Sequence, residues 1–233
     1  MYKNYKIRAP YFEVGPKCIM WGERMLKLCK VIDDIAYKYD LDVIVTPQYA
    51  DIRLIAENTK YIHVYAQHMD SLRPGRGLGS VLPESIKEAG AVGVMLNHAE
   101  KKLTLEEVKA AIARADEVGL ATIVCADTVE EIKNIAALGP NLIVAEPTEL
   151  IGTGVASDMG YVKDTIAAVK AINPDIMVLQ GAGISGPEDV ANVIRAGALA
   201  TGCTSGIMKA ESPEAAAEEM LYALRKTWDE VHG

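Results

Sequence analysis

Short apolar runs recur along the chain, separated by longer stretches in which apolar positions return every three or four residues. The first pattern reads as strands and the second as amphipathic helices. The strand candidates are residues 7–14 (IRAPYFEV), 42–46, 61–66, 91–96, 121–125, 142–145, 176–180 and 199–203. The helices expected between them span 22–38, 51–58, 83–89, 104–117, 129–138, 158–172, 187–196 and 213–231. The strands are near-continuous in apolar character, as parallel strands buried on both faces are. The helix around 103–117 shows the other period. Val108, Ala111, Ile112 and Ala115 share one face, while Glu106, Lys109, Arg114 and Glu117 are expected to meet water. Thr104 stands three residues before Glu107, a capping-box arrangement, and Gly90 and Gly119 follow expected helix ends. Eight strand–helix units of about 29 residues favour a closed (β/α)8 barrel over an open doubly wound sheet. No Gly/Ser-rich linker interrupts the pattern, so residues 1–233 read as one domain.

Composition narrows the function. Hydrophobic residues make up 50% of the 233, which excludes intrinsic disorder. The formal net charge of -8 argues against nucleic-acid binding. It leaves a phosphorylated ligand open, because backbone N–H groups at helix starts hold phosphate without a basic surface. Cys18, Cys29, Cys125 and Cys203 form no CxxC pair and fit no zinc site, so no metal is expected. Cys125 and Cys203 lie in apolar runs and read as buried thiols. A reducing cytoplasm suits such cysteines. The opening MYKNYKIRAP lacks a signal-peptide core, and no apolar run reaches the roughly 18 residues of a membrane span.

In a (β/α)8 barrel, chemistry gathers at the C-terminal ends of the strands. The polar residues at those positions are Lys17, Gln67, His68, Asn97, His98, Glu100, Asp127 and Glu146, followed by residues 181–185 and 202–206. His98 follows an apolar strand directly and is a candidate acid–base or electrophilic group. His68 also ends a strand but has neighbours suited to packing, and His63 lies within one. Glu146 ends the run LIVA, where burial raises a carboxyl pKa toward that of a general base. The following PTELIGTG has an apolar centre and terminal glycines, as a mobile lid would. GAGIS (181–185), with Gly183 and Ser185, runs into a helix, and CTSG (203–206) follows the last strand. Both suit a phosphate held by backbone N–H groups.

These segments resemble a known family. VAEPTELIGTG, LNHAE and QGAGIS look like the corresponding segments of the triosephosphate isomerase family. YAQHMD, VLPESIKEAGAVGVMLNHAE and TIVCAD are similar to its shorter, archaeal-type members. The resemblance covers the chain from about Asp42 onward. It implies an intramolecular isomerase of a small phosphorylated sugar, working without a cofactor. It implies Glu146 as the base, His98 polarising the substrate oxygens, Glu100 as the supporting carboxylate and Cys125 as a thiol near the base. Gly152, Ser185, Thr204 and Ser205 would then bind phosphate. Family members are dimers or tetramers, so a homo-oligomer is expected.

The first strand departs from the family's Asn-x-Lys. It reads FEVGPKCIMWG, with Gly15 where the asparagine would be and Lys17 as the candidate lysine. Loop three carries Arg73, Arg76 and Leu78 in place of a small interface tip. The first reading is interconversion of glyceraldehyde 3-phosphate and dihydroxyacetone phosphate. The alternatives are a different phosphorylated sugar, such as a tetrulose phosphate, and a non-catalytic phosphosugar-binding barrel.

Overall fold

A computed structural model describes residues 1–154 and 157–233. The chain folds as a single (β/α)8 barrel with the strands paired in parallel, in chain order, and closed from last to first. The strands are β1 (Tyr11–Val14), β2 (Asp42–Val45), β3 (Ile62–Ala66), β4 (Gly93–Leu96), β5 (Ala121–Ala126), β6 (Leu142–Ala145), β7 (Met177–Gln180) and β8 (Ala200–Cys203). The helices are α1 (Gly22–Tyr39), α2 (Ile52–Ala56), α3 (Pro83–Glu88), α4 (Leu105–Val118), α5 (Val129–Leu138), α6 (Met159–Ile172), α7 (Pro187–Arg195), α8 (Ser205–Met208) and α9 (Pro213–His232). Among the described residues, no helix is long and apolar enough to cross a membrane.

Strand alternation decides which residues face the interior. Tyr11, Ile44, Tyr65, Ile123, Cys125, Leu142, Val144, Leu179 and Ala200 form the barrel's inner cluster. Phe12, Val14, Val43, Val45, Val124 and Ile143 belong to the outer layer beneath the helices. Continuing the inner parity by two residues brings Glu13, Thr46, Gln67, Glu146, Gly181 and Gly202 to the mouth. The barrel thus supplies an apolar floor and a polar rim from one backbone rule.

Several local expectations hold. Thr104 and Glu107 form a reciprocal capping box at α4, and Gly119 ends that helix with φ 77°. Cys29, Cys125 and Cys203 are buried and Cys18 is exposed.

Others are corrected. The first strand is only Tyr11–Val14, and the segment expected as a helix over 51–58 is a 3-10 turn at Tyr49–Asp51 followed by the short α2. The short α8 was not anticipated. Arg114 does not face water: its side chain is 5% exposed. Its guanidinium pairs with Glu84, lies 3.5 Å from Glu117 and donates to the Leu72 carbonyl at 3.1 Å. Leu72 and Glu84 come from loop three and α3, which cover that side of α4, so helical period alone misassigned it. At the same place Arg73 binds Glu117 through two guanidinium nitrogens, while Leu78 stands fully exposed.

Candidate active site

A cavity of about 510 Å³ opens at the C-terminal ends of the strands. Its lining includes Lys17, His98 and Glu146, which the chain carries 48 to 129 residues apart. That volume is in the range of small-molecule sites.

Lys17 follows β1 at inner parity and sits in the left-handed region, φ 48°. Non-glycine residues adopt that conformation only where their surroundings hold it. Here the Lys17 carbonyl accepts from the carboxamides of Gln48 at 2.7 Å and Gln67 at 3.0 Å. The Lys17 ammonium reaches Glu100 Oε1 at 2.6 Å, and this bond holds the Glu100 carboxyl below its ordinary value.

His98 reaches the cavity by a break in alternation. Met95 faces inward and Leu96 outward, so a continuous strand would send His98 outward. Asn97, at φ 58°, redirects the chain. Its carboxamide bridges neighbouring elements, donating to the Cys125 carbonyl at 2.9 Å and accepting from the Leu103 N–H at 2.9 Å. The backbone N–H of Glu100 then donates to His98 Nδ1 at 3.0 Å. Nδ1 is therefore an acceptor, and a neutral ring carries its proton on Nε2. Burial, then the positive charge of Lys17, lower the His98 pKa, so the ring is neutral at physiological pH.

His98 Nε2 lies 3.8 Å from Glu146 Oε2. That is too long for a hydrogen bond. Both groups line the same cavity. Burial raises the Glu146 pKa, and Lys17 opposes the rise. Glu146 Oε1 accepts the Ala182 N–H at 3.2 Å. A Cβ at Gly181, just past β7, would lie 3.0 Å from Val144 Cγ1 and 3.2 Å from Glu146 Cβ, so the glycine leaves the Glu146 side chain its space. Cys125 lines the same wall, its thiol held protonated by burial and by the Glu146 charge.

Gly152, Gly183, Thr204 and Ser205 line the same cavity. Ser185 is placed differently. Its N–H and hydroxyl both bond Asp189, at 2.8 and 2.7 Å, at the start of α7. His68 is buried and bonded to Asp70 at 3.3 Å, and His63 meets the Tyr5 hydroxyl at 3.2 Å near the opposite end of the barrel.

Sequence reasoning missed several residues of the cavity lining, Lys101, Lys209 and Glu13 among them. Lys101 and Lys209, the latter one turn past Ser205, join Lys17 as cations of the lining. Glu13 is the larger omission. It is 9% exposed, faces the cavity from β1 and accepts from Thr46 Oγ1 at 2.8 Å. The available signal was a lone carboxylate at inner parity within YFEV. Burial, only partly offset by the Thr46 bond, raises its pKa from 4.5 to about 7, with Glu146 adding to the rise.

That shift has a consequence for stability. The folded carboxyl holds its proton to higher pH than the unfolded one, so Glu13 contributes stability at acid pH that is lost as pH rises from about 4.5 through about 7. Glu13→Gln removes the ionisation. We expect it to raise stability above pH 8 by roughly 3 kcal/mol relative to wild type, with the difference shrinking toward pH 5. Denaturant melts at the two pH values check this, and a difference that does not change with pH would contradict it.

A cavity with a buried carboxyl base, a neutral imidazole donor, a cation and glycine-rich turns can move a proton between adjacent carbons of an anionic substrate. The relationships agree with this chemistry. A sequence model of the family described as triosephosphate isomerase matches residues 20–212, a span that starts three residues after Lys17. Triosephosphate isomerase of Methanocaldococcus jannaschii is 40% identical over 203 residues, covering 86% of this chain and 92% of its own. The enzyme of Methanobacterium bryantii is also 40% identical, covering 86% and 89%. That of Sulfurisphaera tokodaii is 37% identical over 211 residues, covering 90% and 92%. On barrel, site and relatives together, the chain belongs to the triosephosphate isomerase family.

Proposed function

We propose that the protein is an aldose–ketose isomerase that interconverts glyceraldehyde 3-phosphate and dihydroxyacetone phosphate through an enediolate. The observation that carries this reading is the meeting of Lys17, His98 and Glu146 in the lining of one cavity, with His98 Nε2 3.8 Å from Glu146 Oε2. In dihydroxyacetone phosphate, Glu146 takes a proton from the hydroxymethyl carbon, and the electron pair moves toward the carbonyl oxygen. His98 donates from Nε2 to that oxygen, and Lys17 stabilises the negative charge as it develops. The hydroxyl proton passes to His98 Nε2, replacing the one it gave, as the new carbonyl forms, and Glu146 returns its proton to the former carbonyl carbon. Substrate and product are isomers, so no atom or electron is left over. Backbone N–H groups around Gly152, Gly183 and residues 204–205 are the natural seat for the phosphate.

The test is conversion of dihydroxyacetone phosphate in D2O. A single base that exchanges with solvent while holding the proton leaves deuterium on the product carbon that receives it. We expect conversion to glyceraldehyde 3-phosphate with deuterium at that carbon. Tight binding of phosphoglycolate with neither conversion nor exchange would instead support a non-catalytic phosphosugar-binding barrel.

A further inference from the structure

We propose that Glu13 binds a hydroxyl group on a carbon beyond the reacting pair, so that the preferred substrate is a four-carbon ketose phosphate rather than a triose phosphate. This deepens the isomerase reading and rests on it; with the extra carbon the same proton transfer, from the CHOH carbon to the neighbouring carbonyl carbon, gives a second ketose instead of an aldose.

The first observation is an incompletely bonded carboxyl on the cavity wall. Glu13 is 9% exposed and lines the same cavity as Lys17 and Glu146. Thr46 Oγ1 donates to its Oε1, and no donor among the described residues serves its Oε2. With no donor and without full burial, that oxygen stays open to the cavity. A substrate hydroxyl reaching the floor of the cavity would supply that donor.

The second observation is the niche around it. Two glycines flank the carboxyl. A Cβ at Gly15 would lie 3.0 Å from Glu13 Oε1 and 3.1 Å from Thr204 Oγ1. A Cβ at Gly202, which pairs with Glu13 across the β1–β8 ladder, would lie 3.0 Å from Glu13 Cβ and 2.8 Å from its carbonyl oxygen. Glu13 and a side chain at position 15 therefore compete for one space. The space beside Gly15 is not simply empty: the Glu13 carboxyl lies within contact of it.

Electrostatics indicate what this acid is for. A triose phosphate offers two oxygens at its reacting end, and His98 and Lys17 already serve both. An ionised Glu13 would repel the enediolate and lies close enough to Glu146 to raise its own pKa through that charge. For a three-carbon substrate it is an impediment. For a substrate with one more hydroxymethyl carbon at the end remote from phosphate, it is an acceptor placed below the reacting pair.

The test compares dihydroxyacetone phosphate with a tetrulose phosphate that has the same phosphate-bearing end and one further hydroxymethyl carbon. Wild type, Glu13→Ala and Glu13→Gln are assayed on both, and each is checked by thermal melting. In wild type, kcat/KM for the four-carbon sugar is expected to exceed that for the three-carbon sugar by about tenfold or more. Glu13→Ala should lower that ratio by about tenfold or more. Glu13→Gln, which keeps the shape and tests the inference even if the alanine variant does not fold, should lower it in the same direction by less. A wild-type preference for the triose, or variants that slow both sugars equally, would overturn the role of Glu13 while leaving the isomerase reading intact. Turnover of neither sugar by wild type would overturn both.

Discussion

Glu146→Gln is expected to lower kcat for sugar-phosphate isomerisation by about 10³-fold, with a much smaller change in KM. The glutamine amide keeps the shape of the side chain and can still accept the Ala182 N–H that Glu146 Oε1 accepts at 3.2 Å. What it cannot do is take a proton from carbon. Burial already raises the Glu146 pKa, which makes the carboxylate a stronger base once ionised. The variant loses that capacity without leaving a charge unpaired, so thermal stability should be kept or slightly increased. Glu146→Asp tests the geometry separately. It retains the base but withdraws it by one methylene, and a displacement near 1 Å is expected to cost about 10²-fold. Steady-state kinetics on the two variants, with melts to show that both are folded, check the pair. Near wild-type kcat in Glu146→Gln would remove Glu146 from the chemistry.

Lys17→Met is expected to lower kcat/KM by about 10²- to 10³-fold, the usual loss when one charge-stabilising donor is taken from a reacting centre. Lys17 is the cation that acts on both His98 and Glu146, lowering the pKa of each. Its removal therefore has a second, directional effect. Without the cation, Glu146 holds its proton to higher pH, so the acid limb of the kcat/KM profile moves up in pH. A fall in rate with no movement of that limb would mean that Lys17 acts only on the phosphate. The Lys17–Glu100 ion pair adds little to stability, because Glu100 is 62% exposed and is readily solvated when left alone. Equal melting temperatures for wild type and variant would separate an electrostatic role from a structural one.

The (β/α)8 architecture was readable because both of its periods are local. Apolar runs such as LIVA mark β6 with its observed bounds, since a parallel strand buried on both faces admits little else. Residues 129–138 form α5 as expected, and the Thr104–Glu107 capping box is written within four residues. The site was partly readable for the same reason. Glu146 lies two residues beyond the inward Val144, so strand parity carries it into the mouth. Arg114 shows the limit of period. Its helical phase suggested solvent, yet Glu84 and loop three cover it.

The order of strands and helices, their phases, the caps and the candidate acid, imidazole and lysine were therefore determined by the sequence itself. Each depends on torsions and spacing within a few neighbouring residues. Tertiary structure decided which way those groups point and what they meet. Asn97 turns His98 inward only because its carboxamide ties β4 to β5 and Leu103. Lys17 meets Glu100 across 83 residues only because the barrel closes. Glu13 becomes a cavity acid only because Gly15 and Gly202 leave it room. Contacts between distant segments depend on how the whole sheet curves and closes, and no local period encodes that.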